Sequence, residues 1–333
     1  MKRKTILVTG AGGFIGSHMV AMFHKDRVIA CGPSFKSRID LGQNHVWERL
    51  DITKKEDLNN LFKKYRPDVV IHCAGIAHQK MTAMSTADYF GINSTATQRL
   101  AEHAICANPD VHLIFLSSIS VYGEKYGHKV VQERDVCRPS SDYADSKLDA
   151  ENRLVKLYTN GQLKKLDLLR LAPVYDRSWS LNIEKRVYAP KKMFFLRFGS
   201  GEQRLSMLSR QNLVEFVRFR VNTAGTTDEF CEWFNVCDAS PYTFNEIIAI
   251  FQKSKYQPNR LCLRVPLSIV KGIVTLAENI LNVRSTWLIS CYDKLSSDLI
   301  FDNRKMLGTG FVPEYSLASV FGVDDFDKVL GSC

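Results

Sequence analysis

The chain lacks a hydrophobic run long enough to cross a membrane. Its longest apolar stretch, residues 266–281, is interrupted by Lys271 and Glu278, so it predicts an amphipathic helix and not a span of about 20 apolar residues. The basic start is followed only by Ile6-Leu7-Val8 before glycines begin, which is too short for a signal peptide. We therefore expect no membrane span and a cytoplasmic location.

The cysteines form no framework. The nine cysteines are scattered and odd in number, and no Cys-x-x-Cys occurs. This usage is typical of a reducing compartment and argues against both a disulfide scaffold and a zinc site. Cys31 and Cys73 lie in apolar strand-like runs, where cysteine is usually a small buried hydrophobe. We expect no metal, and we interpret both cysteines as core residues.

Acidic residues are fewer than basic ones: the chain has 35 Asp and Glu and 45 Lys and Arg. Residues 181–220 carry nine bases and three Glu, and the bases are spread among apolar residues such as Phe194 and Phe195. A basic segment attracts nucleic acid, a membrane surface or an anionic small molecule. The interspersed pattern favours a phosphate-bearing substrate over nucleic acid, and a solvated surface explains most of the remaining bases.

The first half of the chain alternates short Val/Ile/Leu-rich runs with helix-like stretches. Strands without polar alternation are typical of a parallel sheet covered on both faces, so the pattern predicts an α/β doubly wound parallel sheet. The predicted strands are 5–9, 28–31, 68–73, 111–117 and 166–171, and the predicted helices are 14–24, 56–65, 84–107 and 142–158.

After Pro173 the alternation stops. We expect a dinucleotide-binding domain over residues 1–174, to which 212–243 return. Residues 175–211 and 244–333 would form a smaller, more irregular substrate-binding cap.

A glycine-rich turn, Thr9-Gly10-Ala11-Gly12-Gly13-Phe14-Ile15-Gly16, joins the first predicted strand to the first predicted helix. This context is the one that a dinucleotide fingerprint requires. Gly10 permits the tight turn, Gly13 lets the backbone approach a pyrophosphate, and Gly16 lets helix and strand pack closely. The turn predicts a dinucleotide site.

Tyr143 and Lys147 lie four residues apart on a predicted helix and therefore on one face of it. An ammonium beside a phenol favours the phenolate, which would make Tyr143 a usable proton donor and acceptor at neutral pH. A second pair with this spacing, Tyr188 and Lys192, has Pro190 between its members, and proline disfavours a helix there.

Together these motifs resemble the extended short-chain dehydrogenases/reductases, in the NAD(P)-dependent epimerase/dehydratase family. The likeness runs from Thr5 to about Tyr315. Besides the glycine turn, its motifs occur in the family's order: Asp51-Ile52, His72-Cys73-Ala74-Gly75, Asn93, Ser117 to Gly123, Tyr143-x-x-x-Lys147 and Arg170 to Tyr175. The resemblance implies a Rossmann domain with a C-terminal substrate domain.

The resemblance also implies catalytic roles. Ser118 would orient the oxygen that alternates between alcohol and ketone, Tyr143 would move its proton, and Lys147 would lower the pKa of Tyr143 and hold the nicotinamide ribose. Ser117 and Ser120 compete with Ser118, which is chosen because the family's serine or threonine lies four residues before the tyrosine matching Tyr122.

Cofactor contacts follow from the same mapping. The expected residues are Gly10, Gly13, Phe14, Ile15, Gly16, Ser34, Arg38, Asp51, Ile52, Ala74, Asn93, Tyr143, Lys147, Pro173 and Val174. For Asn93, hydrogen bonding to backbone inside the fold is an interpretation equal to a catalytic role.

Two positions depart from the family pattern. No Asp or Glu occurs between Val28 and Ile39, whereas an NAD site wants an acid there for the ribose 2′-hydroxyl. The basic loop favours NADP, with NAD as the alternative. Asp176 stands where the family usually has glycine, which puts the shape of that loop in doubt.

Substrate contacts are expected at Arg204, whose planar fork suits a diphosphate, and at Asn182 and Lys192, for which a surface role is the alternative. Residues 295–308 resemble the tail of 4-ketoreductases and 4-epimerases of UDP-N-acetyl sugars. We therefore expect an NAD(P)-dependent oxidoreductase that reduces a 4-keto-6-deoxy UDP-sugar at carbon 4, with an NAD-dependent UDP-sugar 4-epimerase as the alternative.

Other functions rank lower. Dehydratases place Asp-Glu where Ile119-Ser120 stand, and the joint presence of Tyr143 and Lys147 argues against a non-catalytic dinucleotide-binding sensor. By resemblance we expect a homodimer built on the helices 84–107 and 142–158, with a nucleotide sugar and no nucleic acid as partner.

Overall fold

The computed structural model describes residues 3–34, 41–77, 84–123, 129–224, 229–281 and 292–323. Over these ranges the chain forms two compact units. Unit 1 comprises Met1–Gly123, Val136–Leu171 and Val214–Phe234, and unit 2 comprises Glu124–Asp135, Ala172–Leu213 and Asn235–Cys333.

The division differs from the predicted domains in three places. The first domain was predicted to extend to residue 174, but that part of unit 1 ends at Leu171 and residues 172–174 belong to unit 2. The return to unit 1 covers Val214–Phe234 and is shorter than the predicted 212–243. Residues 124–135, predicted in the first domain, are assigned to unit 2. In that segment Val131 donates its N–H to the carbonyl of Ile300 at 2.9 Å, which attaches it to the C-terminal part of the chain.

Thirteen strands occur in the described ranges. In chain order they are β1 (Thr5–Thr9), β2 (Arg27–Gly32), β3 (His45–Arg49), β4 (Val69–His72), β5 (His112–Ser118), β6 (Lys165–Leu171), β7 (Val174–Tyr175), β8 (Phe195–Phe198), β9 (Arg204–Leu205), β10 (Leu208–Ser209), β11 (Phe230–Val236), β12 (Tyr242–Thr243) and β13 (Cys262–Val265).

The α-helices of the same ranges are also numbered in chain order. They are α1 (Gly16–Met22), α2 (Lys55–Lys64), α3 (Thr86–Phe90), α4 (Ala96–Ala107), α5 (Asp142–Thr159), α6 (Leu181–Val187), α7 (Arg210–Thr223), α8 (Phe244–Lys253), α9 (Leu267–Leu281), α10 (Arg304–Gly308) and α11 (Leu317–Val320). None of the helices described is long and apolar enough to cross a membrane.

The main sheet has the order β11-β6-β5-β4-β1-β2-β3. The paired strands from β6 to β3 are parallel, which confirms the predicted doubly wound α/β fold. The strand order reverses between β1 and β4, and ligands of such sheets bind at the carboxyl ends of the strands beside that point. The fully buried β4, Val-Val-Ile-His, shows why apolar runs predicted these strands.

Two elements differ from the sequence prediction. Strand β3 was not predicted, because His45, Glu48 and Arg49 give this edge strand a mixed and partly exposed pattern. The predicted helix 84–107 is interrupted by a π-helical turn, Gly91–Thr95, between α3 and α4. Such turns insert one residue into the hydrogen-bond ladder and change the direction in which side chains point.

Unit 2 has its own core. Stacked aromatic rings occupy it: the centroid of Tyr188 lies 4.3 Å from that of Phe195 and 6.1 Å from that of Phe251. Helix α8 begins at a capping box in which Thr243 accepts a hydrogen bond from the N–H of Glu246, whose carboxylate accepts one from the N–H of Thr243. Its buried face, including Ile247 and Phe251, completes this core.

Candidate active site

Ser118 and Tyr143 meet at the carboxyl edge of the main sheet. Ser118 is the last residue of β5, and Tyr143 lies in the first turn of α5, which begins where Ser141 accepts a hydrogen bond from the N–H of Ala144 at 3.3 Å. The side chains of Ser118 and Tyr143 are hydrogen-bonded to each other. Ser118 also donates to the hydroxyl of Ser120 at 3.1 Å. Ser118 is thus the serine of this edge that bonds the phenol.

The pKa of Tyr143 differs from the sequence expectation. We expected Lys147 to lower it, but burial raises the pKa of Tyr143 above its ordinary value. The hydrogen bond with Ser118 opposes this rise, and the proximity of Tyr89 adds to it. Without ligand, Tyr143 therefore keeps its proton at neutral pH.

Lys147 is buried one turn after Tyr143, and its ammonium has other partners. It donates a hydrogen bond of 2.8 Å to the carbonyl of Leu116 and lies 4.6 Å from the ring centroid of Phe115. Burial lowers the pKa of Lys147 to about 8, although the negative charge of Glu151 opposes this shift. Lys147 is therefore a buried cation whose charge is lost only slightly above neutral pH.

A buried ion pair that the sequence did not reveal lies one helical turn beyond Lys147. Glu151 accepts hydrogen bonds from Arg170, at 2.6 Å from Nη2 and 3.1 Å from Nε, and from the hydroxyl of Ser117 at 2.5 Å. Arg170 also donates to the phenol oxygen of Tyr122 at 2.9 Å. Ser117, a competitor for the catalytic position, is therefore engaged in joining β5 to α5.

Asn93 makes its contacts inside the fold. Its Oδ1 accepts from the N–H of Ile76 at 2.8 Å, and its Nδ2 donates to the carbonyl of Ile76 at 2.9 Å and to Ser146 at 3.0 Å. Ser146 donates to the carbonyl of Tyr143 at 2.8 Å. The π-helical turn places Asn93 between the segment after β4 and helix α5. Of the two roles expected for Asn93, the geometry matches the internal one.

A second unpredicted network holds the glycine turn against β4. His72, fully buried, lies 2.6 Å from the hydroxyl of Thr9 and 2.8 Å from that of Thr97. Burial, with the charge of Lys147, lowers the pKa of His72 to about 3, so it is neutral. Thr9 also accepts from the N–H of Ala74 at 3.2 Å. His72 and Thr9 therefore connect the glycine turn, β4 and α4 through hydrogen bonds.

The glycine turn fits a dinucleotide on steric grounds. Gly10 has a φ of +64°, and a Cβ there would lie 2.7 Å from the nitrogen of Ala74. A Cβ on Gly16 would lie 2.2 Å from the carbonyl oxygen of Gly10. Gly13 donates its N–H to the carbonyl of Gly10 at 2.9 Å and is exposed. The turn thus presents backbone that a pyrophosphate can approach closely.

The remaining expected cofactor residues occupy varied positions. Phe14 and Ile15 are half-buried beside the turn, and Ser34 is exposed just after β2. The Asp51 carboxylate accepts from the N–H and hydroxyl of Thr53 at 3.0 and 2.7 Å, which lowers its pKa. Three further positions complete the set: buried Ile52, and Pro173 and Val174, which belong to unit 2. Arg38 lies outside the described residues.

The expected substrate residues all belong to unit 2. Arg204 donates to the Asp298 carboxylate from Nη2 at 2.9 Å and from Nε at 3.2 Å. Lys192 lies 2.8 Å from a Glu184 oxygen, and Asn182 is exposed in the first turn of α6. The role of Asp298 was not predicted from the sequence, although Asp298 lies within residues 295–308, whose resemblance to related enzymes was noted.

Two further sequence features lie in unit 2: Asp176, at a position where glycine is usual, and the second Tyr/Lys pair, Tyr188 and Lys192. The buried carboxylate of Asp176 is paired with Arg210, which compensates the acid at the position where glycine is usual. Lys192 has a φ of +53°, so it does not continue a helix from Tyr188, and the Tyr188 phenol donates instead to the carbonyl of Pro258 at 3.0 Å. The Lys192 ammonium lies 5.5 Å from the ring centroid of Tyr188, but the two residues do not share a helix face as Tyr143 and Lys147 do.

The doubly wound sheet, the glycine turn and the Ser118, Tyr143 and Lys147 group define a protein of the extended short-chain dehydrogenase/reductase class. The profile of the "NAD dependent epimerase/dehydratase family" matches residues 6–175. The chain belongs to this family.

Relatives of known activity are similar to the chain over different lengths. A UDP-glucose 4-epimerase of Vibrio cholerae is 30% identical over 220 residues, covering 64% of this chain and 65% of that protein. The N-acetyl-alpha-D-glucosaminyl-diphospho-ditrans,octacis-undecaprenol 4-epimerase of Escherichia coli O157:H7 is 24% identical, covering 94% of this chain and 92% of the relative. For three such relatives the aligned part spans only 49% to 65% of their length, so membership does not by itself assign a substrate.

Solved structures support the fold. A UDP-glucuronic acid 4-epimerase from Bacillus cereus, in complex with NAD, has a TM-score of 0.71 at 22% identity and covers 98% of this chain and 99% of that one. At this identity the likeness concerns the fold alone.

Proposed function

We propose that the protein is an NAD(P)-dependent oxidoreductase that reduces the 4-keto group of a nucleotide-diphosphate sugar, with a 4-keto-6-deoxy UDP-sugar as the substrate class. The observation that carries this proposal is the hydrogen bond between Ser118 and Tyr143 at the carboxyl end of β5, with Lys147 one turn further along α5. These are the groups needed to deliver a proton to an oxygen.

The proton chemistry follows from the burial of these groups. Because the pKa of Tyr143 is raised, the phenol is protonated at neutral pH and can donate to an oxygen that gains negative charge. Ser118 orients that oxygen through its hydroxyl. The buried ammonium of Lys147, one turn further along α5, would stabilise the phenolate that remains. NAD(P), when bound, supplies the hydride for carbon 4.

The residues that would hold the cofactor are the Gly10–Gly16 turn for the pyrophosphate, Asp51 and Ile52 beside the adenine, and Lys147 for the nicotinamide ribose. We favour NADP, because no Asp or Glu occurs between Val28 and Ile39 and Ser34 is followed by Lys36 and Arg38 in the sequence. NAD remains the alternative, since related structures were solved with NAD.

Arg204 is the best candidate for the sugar diphosphate. Asp298 occupies two of the five N–H donors of its guanidinium and fixes its orientation, so the rest of the fork is preorganised for an anion. Glu184 pairs with Lys192 as Asp298 does with Arg204, but Lys192 is less suited because an ammonium lacks the planar fork that can bind a second anion. Asn182 is a further proposed contact.

A 4-epimerase is the second candidate. It is favoured by the Vibrio cholerae relative, which is a UDP-glucose 4-epimerase. Epimerisation uses the same proton groups, but the protein keeps its cofactor oxidised between turnovers. Dehydration is disfavoured, because Ile119 and Ser120 provide neither acid nor base beside Ser118.

A sugar diphosphate can be linked to a lipid instead of a nucleoside. The Escherichia coli relative is named for a sugar on a diphospho-undecaprenol, so a lipid-linked sugar belongs among the substrates to be assayed. By resemblance we further propose a homodimer formed by α4 and α5.

The decisive experiment is incubation with UDP-sugars, their 4-keto forms and a lipid-linked sugar, with NADPH or NADH oxidation followed by absorbance. Reduction requires stoichiometric consumption of the reduced cofactor. If the protein as purified interconverts UDP-hexoses with no added cofactor, the epimerase candidate replaces the reductase. Tyr143→Phe should lose turnover by at least about a hundredfold while cofactor binding persists. Normal turnover by this variant contradicts the proposed mechanism, and Tyr158→Phe, at the far end of α5, is the control.

A further inference from the structure

The segment of residues 253–277, in unit 2, combines exposed apolar side chains with positive charge and contains no acid. Its bases are Lys253, Lys255, Arg260, Arg264 and Lys271, and it has no Asp or Glu. All five bases are exposed. We call this stretch, which covers β13 and most of α9, the 253–277 segment.

The apolar residues of this segment form a stripe that the fold leaves in solvent. Ile269, Ile273 and Leu276 are spaced by four and three residues and therefore lie on one side of α9. They are 54%, 62% and 60% exposed. On β13 and just before it, Leu261 and Leu263 share a face of the strand and are 81% and 46% exposed.

Only part of the apolar surface of α9 packs against the rest of the protein. Leu267, Val270 and Val274 are half-buried, and the Cδ1 of Leu267 lies close to the turn at Gly199. The exposed stripe is a second apolar side beyond these residues. Lys271 and Thr275 lie on the polar side of the same helix, so α9 has the lysine-bearing amphipathic form that is typical of helices lying in a membrane interface.

We propose that the 253–277 segment docks the protein onto the surface of a bilayer that contains anionic lipids. Ile269, Ile273 and Leu276 would enter the headgroup region, and Lys271 would face lipid phosphates. The other exposed bases would add to the attraction, although Arg260 and Arg264 also donate to the carbonyls of Lys192 and Gly199. With 15 residues, α9 is too short to span a bilayer, so the contact is peripheral. This inference does not depend on the proposed reaction.

Charge favours this occupant over a second copy of the chain. A two-fold interface places the same patch against itself, so its five bases would face each other, and the single acid of α9, Glu278, lies beyond the segment and would offset only part of this repulsion. Nucleic acid would use the bases but would gain nothing from an exposed isoleucine and leucine stripe. A bilayer with anionic headgroups matches both features.

The test uses the full chain and vesicle flotation. Phosphatidylcholine vesicles containing phosphatidylglycerol should carry the protein upward, phosphatidylcholine alone should carry much less, and added salt should weaken the binding. The double variant Ile269→Gln/Ile273→Gln should lower the partition coefficient by at least about tenfold. Lys271→Glu should lower it by about fivefold or more on anionic vesicles only.

Thr275→Gln, on the polar side of α9, is the matched control and should bind as the wild type. Thermal unfolding shows whether each variant is folded, and turnover on a water-soluble substrate should be unchanged, which separates this proposal from the proposed function. Absence of flotation by the wild type on anionic vesicles overturns the proposal, and so does flotation that the double variant leaves intact. A fall in the solution mass of the double variant, measured by analytical ultracentrifugation, would instead assign the stripe to self-association.

Discussion

At the scale of single residues, Lys147 shows that the site is built at a cost in stability. The protein holds its ammonium in a nearly water-free position, with a carbonyl and an aromatic ring as partners and Glu151 as a neighbouring charge. The protein would be more stable with an apolar side chain at this position. A cation buried this deeply is therefore retained when it serves binding or catalysis.

Because this cost arises from the charge of Lys147, the stability of the folded protein depends on pH. Burial lowers the pKa of Lys147 from 10.5 to about 8 in the folded protein. Between these values the unfolded chain binds a proton that the folded protein does not, so the contribution of Lys147 to stability rises with pH through this window. Below pH 8 both states are protonated, and the full penalty, roughly 3 kcal/mol at most, opposes folding.

We therefore predict that Lys147→Met stabilises the ligand-free protein at pH 7 while abolishing turnover. The lost hydrogen bond to Leu116 costs about 1 kcal/mol, which leaves a net gain of about 1–2 kcal/mol. Urea unfolding at pH 7 and at pH 10.5 measures the effect, and the gain should vanish at the higher pH. Lys156→Met, at an exposed position of α5, should show no such pH-dependent gain. An equal difference at both pH values would contradict the assignment of the penalty to the buried charge.

At the scale of elements, α5 carries the site along one face. Tyr143, Lys147 and Glu151 follow each other at intervals of four residues, and each contacts a different neighbour: Ser118, the carbonyl of Leu116, and Arg170. Asn93 in the π-helical turn adds a fourth attachment through Ser146. The helix is thus fixed at each turn that bears a functional group.

The Glu151 and Arg170 pair gives a test of this attachment. Glu151→Gln leaves the buried Arg170 without a counter-charge and should destabilise the protein by about 3–5 kcal/mol. The double variant Glu151→Met/Arg170→Met, which removes both charges, should recover most of this loss. Because the charge of Glu151 raises the pKa of Lys147, Glu151→Gln should also move the alkaline limb of the rate profile to lower pH.

Chemical denaturation and a pH–rate profile check both effects. Asp110→Asn, which breaks the exposed pair with Lys164, should change stability little and is the control for loss of an ion pair. A Glu151→Gln protein as stable as the wild type would show that the pair does not hold α5, and an unshifted alkaline limb would show that it does not act on Lys147.

These elements also show how far the sequence leads. The strands of the main sheet are predictable because buried parallel strands are uniformly apolar, as in Val69 to Ile71. Ser118, Tyr143 and Lys147 could be recognised because their motifs are local. The Glu151 and Arg170 pair, the His72 network and the π-helical turn could not, since each depends on which elements the fold brings together. The expected direction of the Tyr143 pKa shift was wrong because burial, which spacing does not encode, raises this pKa, and the hydrogen bond that opposes the rise comes from Ser118 and not from Lys147.

At the scale of the whole molecule, the chain combines two units of different character. Unit 1 contains the doubly wound sheet and the groups for proton transfer, and unit 2 contains Arg204 with Asp298 and the 253–277 segment. The net charge of +10 suits anionic ligands in general, so charge alone does not separate a nucleotide sugar, a dinucleotide phosphate and a lipid surface. Each has to be distinguished by its own variant.

The choice of cofactor can be decided on the intact protein by thermal unfolding. A ligand at about a hundred times its dissociation constant stabilises the folded state by about 2.7 kcal/mol. If the loop after β2 accepts a 2′-phosphate, NADPH should raise the melting temperature more than NADH at the same concentration. Arg38→Ala should remove this difference by weakening NADPH alone, whereas Lys25→Ala, at the amino end of β2, should leave it intact. A larger shift with NADH, unaffected by Arg38→Ala, would assign NAD and favour the epimerase, because an enzyme that returns its hydride to the same substrate needs no reduced pool of NADPH.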